Sequence, residues 1–203
     1  MILSREERIS DKRLFVFDEV TSDIEHAMAH NMLKNSSFSR TESDKPELPD
    51  KFKQICWAKH LDPHEFITGD AQKWQTLELI LAHYFGKENY YPWRVYINAG
   101  VYGDHSFWHT DVEKEEDPDV TALFYLCDPE WSIDDGGETL FYTDEHDAAV
   151  AVAPKLGRLV IFDGGIVHRA TSPSRICTKT RYTLAVKLME KEHIEKVGTL
   201  LGT

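Results

Sequence analysis

The 203-residue chain has no apolar run approaching the roughly 20 residues that a membrane-spanning helix needs. Its first residues, Met1-Ile2-Leu3-Ser4-Arg5-Glu6-Glu7-Arg8, become charged too early for a secretory signal. Cysteine is scarce: Cys56, Cys127 and Cys177 form an odd, widely spaced set without a C-x-x-C pair. That argues against a disulfide framework or a structural zinc site and for reduced thiols in a cytoplasm. Basic residues are in deficit, 23 Lys and Arg against 35 Asp and Glu, for a formal net charge of −12 at pH 7. So acidic a chain repels phosphate backbones, which disfavours nucleic acid as a partner and demotes base demethylation as an activity. Internal repeats and low-complexity tracts are absent too. What is left is a cytoplasmic protein without a membrane segment, expected to fold as one domain over 1–203, because β-rich units of this size bury roughly 70% of their unfolded surface without staples.

What the chain does have is His109-Thr110-Asp111, a second histidine, His168, lying 57 residues beyond the aspartate, and Arg181 at the head of the apolar run Arg181-Tyr182-Thr183-Leu184-Ala185-Val186-Lys187-Leu188. Two histidines and one carboxylate can hold Fe(II) on one face and leave the opposite coordination positions open for O2 chemistry. Extended chain alternates its side chains, so His109 and Asp111 point one way while Trp108 and Thr110 point the other. One strand end can thus supply two ligands. His168 follows the strand-like run Gly157-Arg158-Leu159-Val160-Ile161-Phe162 and the turn Asp163-Gly164-Gly165, which predicts a position at a strand mouth. An isolated H-x-D triplet arises easily by chance in a chain this rich in acids and histidines. Context adds weight: Val120-Thr121-Ala122-Leu123-Phe124-Tyr125-Leu126 reads as a buried strand, and Asp135-Gly136-Gly137-Glu138 as a turn feeding the strand Thr139-Leu140-Phe141-Tyr142.

Taken in this order, the segments resemble the prolyl-4-hydroxylase-like branch of the Fe(II)/2-oxoglutarate-dependent dioxygenases. The resemblance runs from about Tyr91 to Met189. It implies a mostly β fold with flanking helices, a double-stranded β-helix (jelly roll, cupin-like) whose N-terminal helices brace the major sheet. It also implies His109, Asp111 and His168 as iron ligands and Arg181 as the residue that grips the distal carboxylate of 2-oxoglutarate. Tyr125 corresponds to a strand tyrosine that helps hold that carboxylate, and Tyr96 to one lining the cosubstrate pocket. Arg181 lies 13 residues after His168, a little further than in several relatives because Pro173 to Thr180 forms a longer loop, which makes Lys179 a rival for the carboxylate. A guanidinium can meet a carboxylate with two parallel hydrogen bonds, whereas a lysine offers a point charge.

The implied cofactors are Fe(II), 2-oxoglutarate and O2, with ascorbate as a candidate reductant. Asp111 fills the position that halogenating relatives leave to chloride, so the resemblance favours hydroxylation of an unactivated C–H bond, coupled to decarboxylation of 2-oxoglutarate to succinate and CO2. The substrate expected is a small metabolite or amino acid. A prolyl residue in a peptide is the alternative, as is desaturation or cyclisation by the same cofactors. A non-catalytic cupin-like binding module is the reading from another class, and the complete set of His109, Asp111, His168 and Arg181 counts against it. The pattern specifies no oligomeric state.

Residues 1–90 read as an N-terminal strand and helices, 91–189 as the catalytic core and 190–203 as a tail. Leu14-Phe15-Val16-Phe17 predicts an opening strand. Ser22-x-x-Glu25 has capping-box spacing and predicts a helix that buries Ile24, Ala27, Met28 and Met32. The polar stretch Asn35 to Pro49 reads as a loop or flap, and Asp70 to Phe85 as a helix stopped by Gly86. His60 and His64 stand at i and i+4, but Asp62-Pro63 between them disfavours the continuous helix that a metal pair needs. Asp144-Glu145-His146-Asp147 reads as a solvated turn rather than a metal site. The acidic run Glu113 to Asp119 reads first as a solvated face, and second as a rim favouring a cationic substrate. Trp108 and Trp131 read as packing aromatics or as walls of the site.

Overall fold

A computed structural model of the chain describes residues 1–43, 49, 56–86, 88–112 and 119–191. The chain opens on a hairpin, β1 (Ile2–Ile9) and β2 (Lys12–Asp18), whose turn holds Ser10 and Asp11 at positive φ. β2 contains the anticipated Leu14-Phe17 strand; β1 was not anticipated. The reason lies in its position. The larger sheet runs β1, β2, β9 (Leu159–Asp163), β6 (Val120–Tyr125), β11 (Arg181–Glu190), β5 (Tyr90–Gly100), β4 (Cys56–Leu61) and β3 (Ser39–Glu42), and both of its edges, β1 and β3, are polar strands without apolar alternation. Charged, polar edges keep a sheet from pairing with other chains, and they also erase the pattern by which strands are recognised. The predicted loop from Asn35 to Pro49 therefore contains a strand; 44–48 fall outside the described residues.

The inner strands are β4 (Cys56–Leu61), β5 (Tyr90–Gly100), β6 (Val120–Tyr125), β9 (Leu159–Asp163) and β11 (Arg181–Glu190). A smaller antiparallel sheet, in the order β10-β7-β8, is made from β7 (Thr139–Tyr142), β8 (Ala148–Val152) and β10 (His168–Ala170). Period-2 alternation divides the larger sheet into two faces. Phe15, Val95, Ile97, Phe124, Ile161, Leu184 and Val186 point to the helices, while Leu14, Val16, Leu123, Tyr125, Val160, Phe162 and Ala185 meet Phe141, Val150 and Val152 of the smaller sheet. The two sheets face each other without closing a barrel, which is the expected double-stranded β-helix class with helices over the major sheet.

Helix α1 (Asp23–Lys34) begins at the predicted capping box: the Ser22 amide donates to Glu25 Oε2 at 2.8 Å and the Glu25 amide to Ser22 Oγ at 3.3 Å. Its buried stripe differs from the expected one. Met28 and Met32 are 63% and 71% exposed, the side chains of Ile24 and Ala27 lie outside those described, and Leu33 is seated in the core. The apolar pattern of this helix is weak enough that the sheet's surface, not the sequence period, sets its rotation. An unanticipated helix, α2 (Pro63–Gly69), is capped by Asp62, whose Oδ1 accepts from the amides of His64 and Glu65 at 2.8 and 2.9 Å, with Pro63 in the first turn where no amide is needed. His60 stays on β4 and His64 lies in the first turn of α2, so the two form no helical pair. Helix α3 (Ala71–Ile80) runs into a π-helical turn, Leu81–Phe85, and stops at Gly86 with φ 65°, burying Trp74, Leu77, Ile80, Leu81 and Phe85. All three cysteines are free thiols. Among the described residues no helix is long and apolar enough to cross a membrane.

Candidate active site

His109, Asp111 and His168 come together, with one ligand atom from each lying within 4.8 Å of the others. The backbone arranges this. His109 and His168 form an antiparallel bridge, exchanging amide-to-carbonyl hydrogen bonds of 3.0 and 2.9 Å, and the Asp111 amide donates to Gly164 O at 2.9 Å. The expected strand end carrying both first ligands is this single bridge followed by a bend, so alternation survives without a regular strand. Gly164 is required by close approach: a Cβ there would lie 3.0 Å from Val112 Cγ1 and 3.2 Å from Asp119 O. Arg13 on β2 anchors the same loop by a two-pronged pair with Asp163, at 3.0 Å from Nε and 2.8 Å from Nη2.

The ring nitrogens are assigned by their partners. His109 Nδ1 donates to Phe107 O and His168 Nδ1 to Ile166 O, both at 2.9 Å. A carbonyl only accepts, so each Nδ1 carries hydrogen and each Nε2 is turned toward Asp111. Those Nε2 atoms lie 3.5 Å from Asp111 Oδ1 (His109) and Oδ2 (His168). Thr121 Oγ1 donates to Oδ2 at 2.6 Å, and the Lys187 ammonium pairs with the same oxygen. Burial by itself works against the Asp111 carboxylate, but the Lys187 ammonium beside it outweighs burial and holds the group well below the usual carboxylate range. Burial pushes His168 down to about 3. At neutral pH the trio is therefore an ionised carboxylate with at least one neutral imidazole aimed inward. That nitrogen and oxygen donor set suits Fe(II).

The His168 shift carries a sign for stability. The unfolded histidine takes up a proton near pH 6.5, about its ordinary value, whereas the folded one resists protonation down to about pH 3. The stability that this group contributes is therefore present above its unfolded pKa and is lost as pH falls through that window. Chelator-treated protein melted at steps from about pH 7 to about pH 4 should lose Tm progressively, and His168→Gln should flatten the slope. An equal slope in the variant would assign the acid loss to other groups.

Arg181 lies across a cavity of ≈ 50 Å³ that is also lined by His109, His168, Tyr96, Thr139, Thr183 and Lys187. Its guanidinium is buried and fixed by protein dipoles: Nε donates to Gly137 O at 2.6 Å, Nη2 to Thr139 Oγ1 at 3.0 Å and Nη1 to Thr183 Oγ1 at 3.4 Å. None of these partners is a carboxylate, which leaves the charge available to an anionic ligand. Gly137, at φ 80°, makes the approach possible, since a Cβ would stand 3.0 Å from Arg181 Cδ. Arg181 also borders a second cavity of ≈ 70 Å³, which reaches Asn98, Asp104 and His105.

The other predicted residues divide. Tyr96 lines both cavities. Tyr125 does not; its hydroxyl meets Thr139 Oγ1 at 2.6 Å, so it stands behind the threonine that touches Arg181. Lys179 pairs with Asp135 at 2.9 Å and lines neither cavity. Trp131 packs behind the site, its indole N–H donating to Gly136 O at 3.2 Å, while Trp108 is 44% exposed with its ring on His146. Asp144 to Asp147 is an exposed turn. Of the acidic run, 113–118 lie outside the described residues, and Asp119 is buried, its carbonyl accepting from the Gly164 amide at 2.8 Å. Thr121, Thr139, Thr183 and Lys187 escaped the sequence reading. Lys187 had a legible signal: it shares the face of Arg181 and Thr183 in a strand otherwise read as apolar.

Residues 95–186 match the 2OG-Fe(II) oxygenase superfamily. No curated protein matches the chain. Among solved structures, it is similar to a prolyl-4-hydroxylase from Pseudomonas putida, with 18% identity over 88% of this chain and 92% of that one and a TM-score of 0.64. A prolyl hydroxylase from Trichoplax adhaerens, in complex with a hypoxia inducible factor oxygen degradation domain peptide fragment, gives 15% identity, 90% and 86% coverage and a TM-score of 0.67. The alpha ketoglutarate dependent epimerase SnoN from nogalamycin biosynthesis gives 14% identity, 87% and 77% coverage and a TM-score of 0.59. These likenesses extend the shared fold beyond the matched segment to most of the chain.

Proposed function

Because residues 95–186 belong to the 2OG-Fe(II) oxygenase superfamily, an Fe(II)-, 2-oxoglutarate- and O2-dependent class of dioxygenases, we propose that this protein hydroxylates an unactivated C–H bond of a small metabolite or amino acid. In this reading the chain acts as one catalytic domain in which His109, Asp111 and His168 hold the iron and Arg181 pairs with the distal carboxylate of 2-oxoglutarate. Iron, 2-oxoglutarate and O2 together supply the oxidising power, and 2-oxoglutarate leaves as succinate and CO2. The protein's own work is positional. Thr139 and Thr183 aim the guanidinium, Tyr125 orders Thr139, Tyr96 walls the pocket, and the Nδ1 hydrogen bonds of both histidines keep Nε2 inward. The observation that carries the reading is that both histidines of the His109, Asp111 and His168 cluster line one cavity of ≈ 50 Å³ with Arg181. The limited space of the adjoining cavity, ≈ 70 Å³, favours a small substrate.

A peptidyl-prolyl substrate is the second reading, favoured by the likeness to two prolyl hydroxylases. The deciding experiment follows succinate formation by anaerobically Fe(II)-loaded protein after air is admitted, against a panel of amino acids and prolyl peptides. Turnover that requires iron, rises with a panel member and disappears in His109→Ala is the expected result. A product heavier by one oxygen atom supports hydroxylation; loss of two hydrogens or an unchanged mass replaces it with desaturation, cyclisation or epimerisation. Absence of succinate together with absence of 2-oxoglutarate binding leaves a cupin-like binding module.

A further inference from the structure

Lys187 is the residue of the site that the proposed function leaves unused. It lies in a strand segment buried from Arg181 to Leu188, its side chain is only 7% exposed, and it lines the same cavity as Arg181 and both histidines. An apolar residue would fill this wall without the desolvation that an ammonium suffers, so the charge needs a partner. The strand register supplies one. Lys187 lies opposite Thr121 of β6 on one side and Arg94 of β5 on the other, and Thr121 stands over the Asp111 carboxylate. Each carboxylate oxygen faces one imidazole at 3.5 Å, Oδ1 that of His109 and Oδ2 that of His168, but ammonium and hydroxyl both go to Oδ2 and neither goes to Oδ1. The two oxygens of Asp111 are thereby made chemically different.

Resting on the metal-centre reading above, we infer that Lys187 is a positioning residue: with Thr121 it holds Oδ2, makes Asp111 a one-oxygen ligand of the metal, and lowers metal affinity in exchange for higher affinity toward dianionic 2-oxoglutarate. Electrostatics dictates the two directions. A fixed positive charge beside a divalent cation weakens that cation's binding, and the same charge attracts a dianion entering the loaded site. With Oδ2 held by Lys187 and Thr121, Asp111 would offer a metal chiefly Oδ1.

The test uses the full chain as wild type, Lys187→Met and Lys187→Gln. Titration calorimetry with Mn(II), a redox-inert probe, measures metal affinity, and 2-oxoglutarate titrated into the Mn(II)-loaded protein measures the second step. Lys187→Met should bind Mn(II) roughly tenfold more tightly and 2-oxoglutarate roughly tenfold more weakly. A packing role alone would weaken both together, and that result, or no change in either, overturns the inference. If Lys187→Met does not fold, Lys187→Gln decides: it removes the charge and keeps a polar side chain, so it should bind Mn(II) more tightly and 2-oxoglutarate more weakly than wild type, and unchanged affinities overturn the inference. Wild-type protein that binds neither Mn(II) nor 2-oxoglutarate would instead sink the proposed function itself.

Discussion

Asp111→Ala is expected to abolish metal binding and to cost the fold about 3–5 kcal/mol, the range for breaking a buried ion pair by removing one partner. The carboxylate and the ammonium are each 7% exposed, so the variant leaves Lys187 charged and unpaired between two sheets. Denaturant unfolding of the chelator-treated protein measures the loss. The second half of the cycle is more telling. Asp111→Ala/Lys187→Met should recover most of the stability, because replacing both partners of a buried pair by apolar groups is often neutral, yet it should still bind no metal. A double variant no more stable than the single one would show that the loss comes from packing around Asp111 rather than from a stranded charge.

Arg181→Ala should raise the apparent KM for 2-oxoglutarate by roughly a hundredfold or more. Each charge-assisted hydrogen bond is worth about 1.5–3 kcal/mol, and the guanidinium can make two to one carboxylate. The distal carboxylate takes no part in bond breaking, so the loss should fall mainly on KM, with kcat at saturating cosubstrate reduced less. Arg181→Lys should recover part of the affinity, since it restores the charge without the planar fork that Gly137, Thr139 and Thr183 hold in place. Steady-state kinetics over a range of 2-oxoglutarate concentrations separates the cases. A KM that Arg181→Ala leaves unchanged would remove Arg181 from the role and return attention to Lys187, the other cation in the cavity wall.

The trio His109, Asp111 and His168 and the inner strands β6, β9 and β11 could be read from the amino-acid order, because each is written in a short window, and Arg181 entered through the family resemblance; β4 and β5 were not read as strands. An H-x-D triplet needs only extended chain to point two ligands one way, and Val120-Tyr125, Leu159-Phe162 and Tyr182-Leu188 announce burial by their composition alone. Ser22 and Glu25, three apart, state where a helix begins. Other features depend on residues far apart in the chain. Whether Lys179 or Arg181 turns inward was settled by Asp135, which captures the lysine, and by Gly137, whose missing Cβ admits the arginine. The rotation of α1, with Leu33 inward and Met28 and Met32 outward, follows the sheet surface beneath it. The edge strands β1 and β3 have no local pattern because half of their environment is water, and their neighbours alone make them strands. The pairing of Lys187 with Asp111 is the clearest case. Periodicity shows that Lys187 shares a face with Arg181, but only the register of β11 against β6 sets it beside Thr121, and only the bend after His109 carries Asp111 to the same point. Propensity, alternation and capping act over a few residues; convergence of charges is a property of strand pairing across the whole sheet.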